Sequence, residues 1–517
     1  MRNYKKMKKK EKFYLATAIA YASDIPHVGN VYEVVLADFL ARFKRLEGYD
    51  VYFQTGTDEH GQKIFQKSKS KNQKPQTYVD YFSQEIRRIY DLMNVSYDKF
   101  IRTSDENHKK SVQSVLDKLY QKKDIYLGKY EGFYSVIEES YVLEKDLVNG
   151  LTKSGEIPIW NSEEVYFFKL SKYQKKLYDF LKNDSVLIRP VNKKQEILNL
   201  LKEPLPDLCI TRTFCKYGIN LNFNSQHFVY VWVDALLNYI TGLNYHPDLP
   251  KSKEFLKYWP CDIHIIGKDI IRFHLVHFLI LLISLELPLP KIFFVHPFIL
   301  FDKNKMSKSK GNVLYIDDLL KTFSVDTIRY FMLHEIPYNQ DGNITHELLR
   351  ERHNTDLANT IGNLLNRTLG MLKAYRNGHL KKVILPEILE IDLSKKSLEA
   401  LPLIQKKVFN FHISDAIEVI IQLARFSNKY IDLAKPWILF KESDKQDVLD
   451  HVLYSLIETL RFIGVLLQPF LPTTAKSILK QIKSENNTFA SLEIFGVTES
   501  KTIFSKEILF IRFEDNN

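Results

Sequence analysis

Residues 13–54 carry the pattern that most restricts the fold: a short β-rich run at 13–21, a loop at 22–26, an amphipathic helix, and a second strand at 51–54. Val34, Val35, Leu36, Phe39, Leu40 and Phe43 recur at three- and four-residue spacing, which predicts a helix with one buried stripe ending near Gly48. Strand, helix and strand in immediate succession make a βαβ unit. Its strands run parallel and its loops gather at their carboxyl ends, where ligands bind. The same order returns as strand 227–233, helix 235–242, strand 263–266, helix 270–287 and strand 292–295. One parallel sheet split by an insertion accounts for both stretches.

The insertion, about 116–224, is punctuated by Gly128, Gly132, Gly150 and Gly155 and is large enough for a small domain. Beyond Glu335 the strand signal disappears, and 354–375, 404–440 and 445–482 read as helices with apolar stripes, interrupted by Pro386, Pro436, Pro469 and Pro472. The expected architecture is a Rossmann-type α/β domain in two halves, 1–115 and 225–335, a connecting domain at 116–224, and an all-α helical bundle at 336–517.

Lys plus Arg at 73 against Asp plus Glu at 62 leave a net charge of +11, which suits a polyanionic partner but on a chain this long more often means a solvated basic surface. Cys209, Cys215 and Cys261 are odd in number and lack Cys-x-x-Cys spacing. A disulfide framework and a four-thiolate zinc site are therefore excluded, and a reducing, cytoplasmic compartment fits. The longest apolar run, 278–285, falls far short of the ~20 residues that span a bilayer, so it reads as a buried helix and no membrane partner is expected. Residues 5–22 imitate a secretory signal with an Ala20-Tyr21-Ala22 cleavage site. Cleavage there would remove the first strand, so the run is read as a strand.

Pro26-His27-Val28-Gly29-Asn30 lies where the first strand turns into its helix, so helix-end N–H groups and an imidazole converge on one point, a place for phosphate. Gly29 admits a ligand close to the backbone, and His27 can donate to an oxygen gaining charge. Alone, the string is more often a turn with a helix cap. A second element, Phe301-Asp302-Lys303-Asn304-Lys305-Met306-Ser307-Lys308-Ser309-Lys310-Gly311-Asn312, follows strand 292–295 and is expected at the carboxyl edge of the same sheet. Its ammonium groups and hydroxyls can close over a triphosphate.

The two elements in this order resemble the signature motifs of the class I aminoacyl-tRNA synthetases. The strings Ala18-Ile19-Ala20-Tyr21-Ala22, Thr55-Gly56-Thr57-Asp58-Glu59-His60-Gly61-Gln62-Lys63, Tyr230-Val231-Trp232-Val233-Asp234-Ala235 and Ile266-Gly267-Lys268-Asp269-Ile270 with Phe273-His274 are similar to the methionyl-tRNA synthetases in particular. The resemblance runs from about Phe13 to the end and is weakest in the insertion. It implies a methionine–tRNA ligase that forms methionyl-adenylate from methionine and MgATP, then passes methionine to tRNA(Met) with a CAU anticodon.

The resemblance also implies roles. His27 and Asn30, with Lys305 and Lys308, would be catalytic; Gly29, Gly267, Lys268, Asp269 and Ser307 would join them in binding ATP. Asp58 would pair with the methionine ammonium, and Ile19, Tyr21, Trp232, Ala235, Leu236, Tyr239, Ile270 and His274 would shape the thioether pocket. Asn359, Asn363, Arg367 and Trp437 match the anticodon-binding positions. Each aromatic is also an ordinary core residue by type, whereas Asp58, just after a strand, has no obvious core role.

Two positions depart from the family pattern. Asn30 stands where many members carry His, although an amide still donates to phosphate. In the stretch 130–139, Ser135 and Glu138 stand where many relatives place zinc-binding cysteines, so no zinc is expected. The insertion is too short for the hydrolytic editing domain of the leucine, isoleucine and valine enzymes. With no appended β-barrel after 509–514, a monomer is expected. A synthetase for another amino acid, a small-molecule nucleotidyltransferase, and a tRNA-binding relative without adenylation, for which Asn30 is the hint, are the alternatives.

Overall fold

The computed structural model describes residues 11–136, 140–142, 144, 147–152, 155–306, 312–386, 390–504 and 507–514. The chain divides into two compact units, Met1–Ala37 with Tyr49–His296, and Asp38–Gly48 with Pro297–Asn517.

The first unit is built on one parallel sheet. Its strand order is Ala20–Tyr21, Asp50–Asp58, Lys12–Thr17, Ile263–Gly267, Ile292–His296 and Leu187–Arg189, with Lys99–Arg102 also paired to Asp50–Asp58. Residues 13–17 are buried without alternation, as befits a strand covered on both faces. From Lys12–Thr17 the chain adds its next long strand on one side and its later strands on the other, so the order reverses at the carboxyl end of that strand. Such a reversal opens a crevice for a ligand.

The expected run 13–21 is two strands, because after Thr17 the chain crosses the sheet end and Ala20–Tyr21 pairs with Thr57 and Asp58. The strand read at 51–54 extends to Asp50–Asp58, which puts Asp58 at its tip. The expected strand 227–233 is a correction. Only Phe228–Val229 is extended, pairing antiparallel with Thr211–Arg212, and helix Val231–Leu236 follows. The β-forming side chains Val231, Trp232 and Val233 are overruled by the side-chain contacts of Asp234 described below.

The insertion forms an antiparallel sheet ordered Ser140–Val142, Ile125–Ser135, Ile159–Phe168 and Leu208–Cys209. It is not a block apart: the strand Leu187–Arg189 returns to pair with Ile292–Phe294 of the parallel sheet, and helix Glu106–Gln121 runs through position 116. Every residue from His274 to Ser284 is buried, and the apolar ones form the centre of the unit with Leu236, Tyr239, Phe293 and Val295.

In the second unit the helices Val325–His334, His346–Arg352, Asn363–Arg376, Leu393–Phe409, Ile413–Ala434, Gln446–Leu467 and Pro472–Gln481 form a bundle. Helix Gln446–Leu467 is its core, buried at every position from Leu449 to Leu467. Within it Arg461 and Glu458, both fully buried, pair at 2.5 Å, and Glu458 also accepts from the Thr498 N–H at 2.7 Å. Strand does occur beyond Glu335: Gly342–Ile344 pairs with Ile299–Phe301, and His379–Leu380 with Lys501–Thr502. These pieces of two or three residues are too short to show a period in the sequence. Among the described residues no helix is long and apolar enough to cross a membrane.

Candidate functional site

The tips of four parallel strands carry the site of the first unit. The turn into helix Val28–Leu46 is capped from both directions: the His27 N–H donates to Asn30 Oδ1 at 3.2 Å, and the Gly29 N–H donates to His27 Nδ1 at 3.0 Å. The capping read for this string is thus present, and it sets the polarity of both side chains. With Nδ1 accepting, the imidazole carries its proton on Nε2; with Oδ1 accepting, Asn30 presents its NH2 group. Both are then donors at a helix N-terminus, the arrangement that suits phosphate oxygens.

On the neighbouring strand tips, Gly267 pairs in register with His296. A Cβ at Gly267 would lie 2.7 Å from Asp269 Oδ1 and 3.7 Å from His296 Nε2, so the glycine is the space in which these side chains sit. His296 Nε2 lies 2.9 Å from Glu33 Oε2, and burial pushes the Glu33 carboxyl up against the opposing pull of His296. Glu33 and His296 escaped the sequence reading, because neither belongs to a quoted motif and only the strand register joins them. Lys268 is half-buried and Asp269 is exposed.

The residues expected to bind methionine lie in this same unit. Asp58 pairs in register with Tyr21, whose hydroxyl donates to the His60 carbonyl at 3.0 Å. Ile19 lies in the crossing between the two short strands, and Asp58 is only 9% exposed. The next residue, Glu59, is wholly buried and accepts from Arg102 at 2.7 and 2.8 Å and from Thr57 and Ser104 at 2.5 Å. This clamp fixes the backbone that presents Asp58.

Trp232 stacks on Phe273 with ring centres 3.9 Å apart. Tyr239 OH lies 2.7 Å from His274 Nε2, and His274 Nδ1 lies 3.0 Å from the Ile270 carbonyl. The carbonyl can only accept, so Nδ1 carries the proton and Nε2 receives the tyrosine hydroxyl. Burial holds His274 down at about 4, so it is a neutral, oriented wall at any ordinary pH. His274 sits in a wide π-helical turn, Phe273–Phe278, a geometry recurrent at functional sites. Ala235 and Leu236 are buried in the adjoining helix.

The second motif is not an extension of the parallel sheet. Ile299–Phe301 and Asn304–Lys305 form a tight hairpin through Asp302 and Lys303, both at positive φ, within a three-stranded sheet of the second unit. Asp341 Oδ1 and Asn343 Oδ1 bind the Phe298 and Lys303 N–H groups and hold the hairpin. Met306 is buried. The Lys305 side chain and residues Ser307 and Lys308 lie outside the described residues, as does Glu138 of the cysteine-free stretch. There Ser135 Oγ donates to Glu156 Oε2 at 2.5 Å. Cys209, Cys215 and Cys261 are all buried, and none is in a disulfide.

In the bundle, Asn359 lies exposed on a second π-helical turn, His353–Gly362, and Asn363 follows at the start of helix Asn363–Arg376. Asn363 Nδ2 donates to Asn428 Oδ1 at 3.1 Å, and Arg367 pairs with Asp432 at 2.6 Å. Asp432 lies near the end of helix Ile413–Ala434, five residues before Trp437, whose indole is 42% exposed. A cavity of about 170 Å³ opens beside Asn359 and Asn363, with Asn366, Phe510 and Arg512 also in its wall.

The model for "tRNA synthetases class I (M)" matches residues 13–151 and 143–369, and that for "Anticodon binding domain of methionyl tRNA ligase" matches 390–517. The chain is 43% identical to the methionine–tRNA ligase of Clostridium acetobutylicum over 98% of its own length and 79% of the relative's. It is 39% identical to that of Bacillus subtilis over 97% and 78%. The structure is similar to Mycobacterium tuberculosis methionyl-tRNA synthetase in complex with methionyl-adenylate, with a TM-score of 0.92 at 36% identity, covering 97% of this chain and all of that one. Motifs, sheet order and these likenesses agree: the chain belongs to the methionine–tRNA ligases, the methionine branch of the class I aminoacyl-tRNA synthetases.

Proposed function

We propose that the residues gathered at the strand tips carry out both steps of methionyl-tRNA formation. The methionine carboxylate attacks the α-phosphate of ATP and pyrophosphate leaves; the terminal ribose hydroxyl of tRNA then attacks the acyl-adenylate and releases AMP. No protein nucleophile is needed, so positioning and charge stabilisation supply the rate. His27 Nε2–H and the Asn30 amide donate to the phosphates, which is why an amide serves in place of an imidazole. Lys305, Ser307 and Lys308 close over the triphosphate, and Gly267, Lys268 and Asp269 hold the adenosine end.

Asp58 takes the ammonium, while Trp232 and the Tyr239–His274 pair give shape and sulfur–aromatic contact to the thioether, worth ~0.3–1.5 kcal/mol per contact. Among the described residues no three His, Cys, Asp or Glu side chains gather to hold a metal. Mg2+ would enter on ATP, held by the phosphates, and with Ser135 and Glu138 where many relatives place cysteines no zinc is assigned. In the bundle, Trp437 stacks on an unpaired anticodon base of tRNA(Met), and Arg367, Asn359 and Asn363 read its edge. The protein acts as a cytoplasmic monomer with its three thiols reduced.

The observation that carries this reading is the convergence of the His27–Asn30 cap and the Asp58 and His274 pocket at one reversal of strand order. ATP–pyrophosphate exchange with each of the twenty amino acids, without tRNA, tests it. Exchange with methionine alone, lost in Asp58→Ala, is expected; exchange with another amino acid moves the substrate, and none at all refutes the activity.

A further inference from the structure

Two motif residues that the reaction does not use, His60 and Asp234, meet at the back of the pocket. The Asp234 carboxylate is 1% exposed and lies between two imidazoles, Oδ2 at 2.6 Å from His60 Nδ1 and Oδ1 at 2.7 Å from His108 Nε2. His108 Nδ1 in turn lies 2.7 Å from Thr241 Oγ1. Burial alone would raise the Asp234 carboxyl, but His60 and His108 outweigh it and hold it down at about 2. It is therefore an anion at any working pH, and it accepts from both rings.

The four partners come from four separate elements. His60 is two residues past Asp58, and its carbonyl receives the Tyr21 hydroxyl. Asp234 lies in helix Val231–Leu236 between Trp232 and Ala235, His108 in helix Glu106–Gln121 and Thr241 in helix Asn238–Thr241. Asn238 of that last helix accepts, through its carbonyl and Oδ1, from Gln54 Nε2 of the Asp58 strand at 3.0 and 2.9 Å. One buried ion thus spans the pocket between the carboxylate assigned to the ammonium and the indole assigned to the thioether. A hydrogen-bonded buried ion has one low-energy geometry, whereas apolar packing of the same volume tolerates sliding.

We propose that Asp234 is a positioning residue of the amino-acid pocket, which through His60 and His108 fixes the distance between Asp58 and the Trp232–Ala235 wall. The proposal rests on the assignment of Asp58 and Trp232 to methionine given above. Asp234 touches no substrate, so its loss acts on methionine recognition and leaves ATP recognition intact.

Asp234→Asn keeps the volume and can still bond both rings if one changes tautomer, but it removes the anion. In pyrophosphate exchange the expected result is a methionine KM raised about 10-fold with the ATP KM changed less than twofold. A folded Asp234→Asn protein whose methionine KM is unchanged, or whose two KM values rise together, overturns the proposal. Should Asp234→Asn fail to fold, His108→Gln and His108→Phe decide. The amide can replace Nε2 as donor to Asp234, so the glutamine variant should keep a methionine KM near the wild-type value while the phenylalanine variant shows the 10-fold rise. Equal values in the two overturn it. Wild-type protein that shows no methionine-dependent exchange refutes the underlying pocket assignment instead.

Discussion

Replacing Arg102 by Met tests whether the clamp behind Asp58 holds the pocket. Glu59 is wholly buried and takes two charge-assisted hydrogen bonds from Arg102, at 2.7 and 2.8 Å, while Arg102 is about a quarter exposed and also reaches Asp80 at 2.5 Å. Breaking a buried ion pair from one side typically costs ~3–5 kcal/mol, since the other charge stays desolvated. The partial exposure of Arg102 lets water replace some of its bonds, and Thr57, Ser104 and the Thr103 hydroxyl still hold Glu59 and its backbone. The lower end, about 3 kcal/mol, is therefore expected for Arg102→Met. Adding Glu59→Gln removes the stranded charge and should recover at least half of that loss. Urea unfolding of the four proteins in the cycle measures both, and methionine KM should rise with the loss and fall with the recovery. A cost under about 1 kcal/mol, the level of a surface pair, or a double variant whose cost is the plain sum of the singles, refutes the reasoning.

Three further outcomes follow from the geometry. His274 is held from 6.5 down to about 4 by burial, so the unfolded chain binds the extra proton between these values; the stabilisation is complete above pH 6.5, is lost as pH falls toward 4, and amounts to about 3 kcal/mol over the interval. Urea unfolding at pH 7.5 and 5 should show wild-type protein losing about 2 kcal/mol more than His274→Asn, and equal losses contradict the assignment. In Gly267→Ala the new methyl lies 2.7 Å from Asp269 Oδ1 and must displace that carboxylate; about 1–3 kcal/mol of overpacking should appear as a roughly 10-fold higher ATP KM in exchange, with methionine KM little changed. Trp437→Ala should lower kcat/KM for tRNA charging by about 10- to 100-fold, from ~1–3 kcal/mol of lost base stacking, and leave tRNA-free exchange untouched.

The linear pattern announced the strands read at 263–266 and 292–295, because a doubly covered strand is mostly apolar along its length. It misread 231–233, where β-forming residues turn helical, because the deciding contacts come from His60 and His108, 174 and 126 residues away. The hairpin at 299–305 was not announced, since its partner strand, Gly342–Ile344, is only three residues long.

Of the site, the residue types at each strand tip and the helix-start string were legible, since their spacing is fixed by a local turn and by local chemistry. The identity of the pocket's hidden members was not. Glu33 with His296, Glu59 with Arg102, and Asp234 with two histidines are meetings between elements far apart in the chain, decided only when strand register and helix packing set them within 3 Å. Local hydrogen bonding and periodicity act over a few residues and are written in the sequence, whereas which polar groups share a buried space depends on the whole fold excluding water around them.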